Sequence, residues 1–275
     1  MRSKFGMRKL YRYQPTLTPG DDRLSLLQNG EVWFSDPAKF NDPFDLKPRI
    51  SNLMLDRWCD APGFDAAMRR ALSELLADPA IYQGALFIDP ALANEFREWT
   101  ADDAGHEKAW DARLQYAIEK RISQFGVVCL TPQWDSRLMW AHYADQGQGF
   151  CIEYEVDWTL NNQDVRYVPV QYTSEIPELC LSEAMFTPHQ FLYRVLATKH
   201  SDWAYEQEVR LVCLTGKAQS VKLNPNFVRM TGLIAGHAMP EPLRAHLKET
   251  AARLGVTALG VNTHAHGRFH MEPLA

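Results

Sequence analysis

MWAHYADQGQGFCIEY, residues 139–154, is the stretch on which the reading of the fold turns. MWAHYAD predicts a short helix, Gly147 and Gly149 give the chain freedom at positive φ, and FCIEYEV alternates as a strand does. A helix is thereby delivered onto a sheet by a flexible turn. The same residues crowd Trp140, His142, Tyr143, Asp145 and Glu153 around the reversal. Singly, Trp140 and Tyr143 read as core aromatics and His142 as a satisfied core histidine. A functional reading needs partners from elsewhere in the chain.

Upstream, RKLYRYQP predicts a first strand. DDRLSLLQNG predicts a short helix capped by Asp21 or Asp22 and stopped by Gly30, and EVWFS a second strand. DPAKFNDPFD follows as a rigid loop, because its two Asp-Pro pairs hold the preceding residues out of helical geometry. From about residue 63 to 123 apolar residues recur at helical spacing, as in Met68, Leu72, Leu75 and Leu76, which predicts an inserted helical layer. QFGVVCLT, FCIEYEV and VRYVPVQY predict strands. Downstream, SEAMFTPHQFLYRVLATKH predicts a helix, EQEVRLVCL and FVRMTGLIAG strands, PEPLRAHLKETAARLG an amphipathic helix closed by Gly255, and VTALGVNTHAHGRFHMEPL one or two last strands. With no repeat or Gly/Ser linker, the expectation is one α+β domain over residues 1–275, with a mixed, mostly antiparallel central sheet and a helical insertion.

At 275 residues and 46% hydrophobic content the chain can bury a sizeable core. Its 29 Lys plus Arg against 34 Asp plus Glu give a net charge of −5, so no overall basic field draws it to nucleic acid or an anionic membrane. The N-terminus carries cations without a following apolar core, and no window approaches the roughly 18 to 20 apolar residues of a membrane span. A soluble, cytoplasmic protein is expected. Five cysteines without CxxC spacing fit a reducing compartment, with Cys129, Cys151 and Cys213 reading as small buried hydrophobes.

Beyond the opening stretch, WAYEQEVRLV places Glu206, Glu208 and Arg210 on one strand face at a period of two. The ordinary reading is a solvated ion pair. The functional one is a carboxylate kept ionised by arginine, able to stabilise positive charge or accept a proton. Arg12, between Tyr11 and Tyr13, is a candidate anion clamp, since guanidinium grips phosphate as a fork. Ser35 could bond a ligand or only its own turn. His264, His266 and His270 invite a metal reading, but the Gly267 turn and the missing acidic or cysteine partner speak against it, and no metal is expected. No Walker loop, GxGxxG, GxSxG or HExxH motif is present.

LYRY, LLQNG, EVWFSDPAKFNDPFD, LMWAHYADQGQGFCIEY and KHSDWAYEQEVRLV, in this order, resemble the bacterial family known as domain of unknown function 2971. More distantly, a first strand with a polar residue between aromatics, a helix ending in Gly, an aromatic second strand and a late ExE look like the ADP-ribosyltransferase architecture. That resemblance implies NAD as cofactor, with Arg12 holding the pyrophosphate, Ser35 or Tyr143 supporting the ribose, Trp140 or Tyr143 stacking the nicotinamide, and Glu208, preceded by Glu206, promoting glycosidic cleavage. His142 and Arg210 complete the candidate site. The acceptor would be protein, nucleic acid or water. The HGT signature of the first strand and a clear STS triplet are missing. Two other classes stay open. One is a non-catalytic module in which the same residues line a nucleotide pocket. The other is a metal-dependent nuclease built on Asp42, Asp45, Glu206 and Glu208.

Overall fold

The computed structural model describes residues 7–18, 23–47, 49–51, 119, 122–159, 165–175, 178–180, 188–213, 216, 219–222, 224–264 and 266–274. In chain order the elements begin with β1 (Met7–Gln14), α1 (Arg23–Gln28), β2 (Glu31–Phe34), β3 (Arg49–Ser51) and β4 (Gly126–Leu130). There follow α2 (Arg137–Tyr143), β5 (Phe150–Asp157), β6 (Val165–Pro169), β7 (Gln171–Thr173), β8 (Glu178–Cys180) and α3 (Pro188–Ala197). The rest are β9 (Thr198–His200), β10 (Val209–Cys213), β11 (Gln219–Lys222), β12 (Val228–Ala235), α4 (Glu241–Leu254), β13 (Thr257–Thr263) and β14 (Phe269–Pro273). Short 3-10 turns occupy Pro37–Lys39, Asp145–Gly147 and Ser201–Glu206. The helical layer expected at 63–123 falls almost wholly outside the described residues.

These elements form an α+β fold with a mixed, mostly antiparallel sheet. They divide into two compact units, one of Met1–Ser35, Gly126–Val170 and Asp202–Ala275, the other of Asp36–Phe125 and Gln171–Ser201. In the first, five strands run in the order β1-β5-β12-β13-β14, parallel only between β12 and β13. A second sheet orders β4-β10-β6, and β2 pairs with β11. In the second unit β3 pairs with β8 and β7 with β9, both parallel.

Alternation gives the five-stranded sheet two different faces. Leu10, Phe150, Ile152, Tyr154, Leu233 and Ala235 share a core with Leu247 and Ala251 of α4 and with Val128, Leu130, Val209 and Leu211 of the second sheet. Tyr11, Tyr13, Cys151, Ile234 and Val261 form the opposite face, on which α2 packs Met139, Trp140 and Ala144. Burying one such aliphatic or aromatic side chain contributes about 1.5–3 kcal/mol, so both faces are anchored.

Three local expectations are corrected. EQE is not strand: Glu206 closes a 3-10 turn, Gln207 adopts φ 46°, and β10 begins only at Val209. The helix ending in ATKH stops at Ala197, and Thr198–His200 pairs with β7 instead. Cys129 is exposed, whereas Cys151 and Cys213 are buried free thiols. Among the described residues, no helix is long and apolar enough to cross a membrane.

Candidate functional site

Ser136 caps α2: its backbone is extended and its hydroxyl accepts from Met139 N at 3.3 Å. The helix turns Met139, Trp140 and Ala144 inward and leaves Leu138, Ala141 and His142 exposed, as a period of 3.6 requires. Trp140 is 1% exposed; its indole donates to Trp134 O at 2.8 Å and meets the edge of Tyr13 at 5.0 Å. Tyr13 in turn donates to Gln133 O at 3.0 Å. Burial raises the pKa of the Tyr13 phenol above its usual value, which keeps it a neutral donor. These contacts fix the roll of α2 and therefore the direction of its outer face.

The helix ends in a run of left-handed residues, Asp145, Gln146 and Gly147, at φ 45°, 58° and 86°. Only the last is glycine, so two residues hold a conformation that L side chains rarely adopt. Asp145 accepts from Thr16 N at 2.7 Å, and Ala238 and Gly236 donate to Gly147 O and Gly149 O at 2.9 and 3.0 Å. Gly149 has ordinary φ, and its need for glycine is space: a Cβ there would lie 2.1 Å from Gln14 O.

Consecutive residues on α2 then reach a second element. His142 Nδ1 lies 2.9 Å from Tyr205 Oη, and Tyr143 donates to Glu206 Oε1 at 2.6 Å. Whichever of Nδ1 and the phenol carries the shared proton, the imidazole is oriented and Nε2 has no hydrogen-bond partner among the described residues. Glu206 is 4% exposed, and the short bond from Tyr143 is of the charge-assisted kind. Rings of Tyr143 and Tyr205 stand edge-on to His142 at 6.3 and 5.8 Å, and Trp203 lies 6.2 Å from Tyr205. An exposed imidazole, a buried carboxylate and a set of aromatic faces can bind a flat ring, and can pass a proton.

The other predicted residues land elsewhere. Glu208 and Arg210 are 3% and 0% exposed and joined by two hydrogen bonds, Nε to Oε1 at 2.8 Å and Nη2 to Oε2 at 3.2 Å. The expected solvated pair is therefore a buried one. Arg12 shares its face with Leu10 and Ile152, across the sheet from Tyr13 and Trp140, and donates to Trp33 O at 2.8 Å. Burial lowers its pKa, though arginine stays charged at neutral pH. Ser35 spends its backbone on a bridge to Val127. In the second unit Asp42 accepts from Phe44 N at 2.9 Å, and Asp45 lies 3.6 Å from Lys199. His264 stacks on His270 at 4.0 Å, and His270 does have an acidic neighbour, Glu272, at 3.6 Å. Among the described residues, no group of three His, Cys, Asp or Glu side chains is placed to hold a metal ion.

Sequence reasoning passed over Tyr205 and Trp203 as site residues, although WAY stands directly before the ExE it weighed. It also left Glu153 without partners. Glu153 is 4% exposed and accepts from Lys9, Tyr11 and Thr231 at 3.1, 3.3 and 2.7 Å; Thr231 is the extra residue of a bulge in β12. The lone Gly232 inside this strand is the signal that could have suggested the bulge.

The family model described as a protein of unknown function, DUF2971, matches residues 139–211. The matched segment contains His142 with Tyr205, Tyr143 with Glu206, and Glu208 with Arg210. No curated protein and no solved structure matches the chain.

Proposed function

We propose that the edge formed by α2 and the Ser201–Glu206 turn binds the planar ring of a small nucleotide-type ligand such as NAD. The observation that carries this reading is the pair of bonds from neighbouring residues, His142 to Tyr205 and Tyr143 to Glu206, which hold an exposed imidazole among aromatic faces. Binding without turnover is the favoured form. Glu208, the carboxylate a transferase would need, is engaged by Arg210, and Arg12 lies across the sheet from Trp140. Transfer chemistry is the second reading, favoured by the 2.6 Å bond that positions Glu206 rather than Glu208 beside the aromatic cluster. Glu206 would then stabilise the positive charge that develops as the nicotinamide–ribose bond breaks.

Calorimetric titration with NAD and with ADP-ribose tests the reading, alongside assay of nicotinamide release. His142→Ala should weaken NAD binding at least tenfold. As a surface change it should leave stability within about 1 kcal/mol. Binding without nicotinamide release supports the binding module; release that Glu206→Gln abolishes and Glu208→Gln spares supports transfer through Glu206. Absence of binding to either ligand, or full affinity in His142→Ala, refutes the proposal.

A further inference from the structure

The opposite face of the five-stranded sheet carries a groove where α4 crosses β13. Its volume is about 740 Å³, and it is lined by Met239, Glu241, Arg244, Lys248, Asn262 and Leu274 among others. That volume falls within the usual range for small-molecule sites. Arg244 and Lys248 stand one helical turn apart on the same wall. Neither has an acidic partner among the described residues; of the carboxylates on or beside the groove, Glu249 lies 4.0 Å from Arg253, Glu272 accepts from Asn262 and lies 3.6 Å from His270, and Glu241, in the first turn of α4, makes no ion pair among the described residues.

Arg244 is also held in place. Its Nη1 donates to Gly236 O at 3.3 Å, and its Nη2 occupies space that glycine alone leaves open, since a Cβ on Gly260 would sit 2.6 Å away. This guanidinium belongs to the first turn of α4, where the helix dipole disfavours a cation and favours an anion. The bond to Gly236 O explains its position, and a guanidinium held there without a carboxylate partner suits a negatively charged guest. Met239, Leu274 and the alanines at 245 and 252 would cover an apolar body.

We infer that this groove binds a small molecule carrying an oxyanion, phosphate or carboxylate, on an apolar body, with Arg244 as the fork that grips it and Lys248 as the second cation. The site is independent of the α2 edge. Titration of the full chain with phenyl phosphate, benzoate and benzyl alcohol tests it. Saturable millimolar or tighter binding of one or both anions, with none of the neutral alcohol, is expected; the tighter anion identifies the headgroup. Arg244→Gln should weaken that binding at least tenfold and Lys248→Ala severalfold. Gly260→Ala keeps both cations but displaces the guanidinium, and should weaken binding comparably, which covers the case in which Arg244→Gln fails to fold. Failure of both anions to bind, equal binding of benzyl alcohol, or unchanged affinity in a folded Arg244→Gln or Gly260→Ala variant overturns the inference.

Discussion

Glu206 and Glu208 differ by two positions and face different environments. Glu206 ends a 3-10 turn and takes a proton donor from α2; Glu208 lies just before β10 and takes a guanidinium. Gln207, in the left-handed region, separates their directions. A buried ion pair adds little beyond well-packed apolar residues, yet breaking one by removing a single partner is costly, about 3–5 kcal/mol, because a charge loses its counterion in a low dielectric. Glu208→Ala should therefore lower stability by that amount, and urea denaturation will show it as a lower midpoint. Loss under 1 kcal/mol would mean that Arg210 does not depend on Glu208. Glu206→Gln keeps a side chain of the same size but weakens the acceptor of the Tyr143 bond, and its effect should be felt at the ligand edge.

At the scale of elements, the turn from α2 into β5 is built by backbone crowding. The Gly149 Cα lies against Gln14 O, and Gly236 packs its backbone on Gly147 O, where an added Cβ would come within 2.1 Å. Gly149→Ala must push β1 away from the turn or strain it, at about 1–3 kcal/mol by the cost of overpacking. A thermal melt of this variant should show a lower midpoint, and an unchanged one would mean that the Gln14 carbonyl has room to yield. Sequence reading recognised this helix, turn and strand because the period changes cleanly from 3.6 to 2 across two glycines. It misread the reason for Gly149, since close approach by a distant carbonyl leaves no local signature. EQE failed for a similar reason: the alternation is present, but the 63-residue reach from Tyr143 to Glu206 and the φ of Gln207 override it. The resemblance puts Arg12 and Trp140 in one site, whereas alternation says only that Arg12 and Tyr13 point to opposite faces and not which of the two α2 covers.

Across the first unit as a whole, ionisable phenols are locked into the sheet on both faces. Burial raises Tyr11 and Tyr13 on the α2 face, with the Glu153 carboxylate adding to the effect at Tyr11, and pushes Tyr154 on the other face up to about 12. On the acid side burial lowers His237, whose ring lies tilted 5.1 Å from that of Phe269. A group that binds its proton less tightly when folded costs stability as pH falls below the ordinary imidazole value of about 6.5. The phenols act at the other limit. Below pH about 10 they are protonated in both states and contribute no pH dependence; above it the unfolded chain ionises first, so stability falls as pH rises toward the folded value. Tyr154 isolates this effect, because its hydroxyl is buried without a hydrogen-bond partner among the described residues. Tyr154→Phe removes an unsatisfied polar atom and should be neutral or stabilising at pH 7. At pH 11 the wild type alone pays about 1 kcal/mol for this phenol, so the variant's advantage should widen by that amount. Urea titrations of both proteins at pH 7 and pH 11 measure the difference directly. Parallel loss of stability in the two would show that Tyr154 reaches solvent and ionises freely, and the packing between β5 and the second sheet would then be looser than its buried side chains indicate.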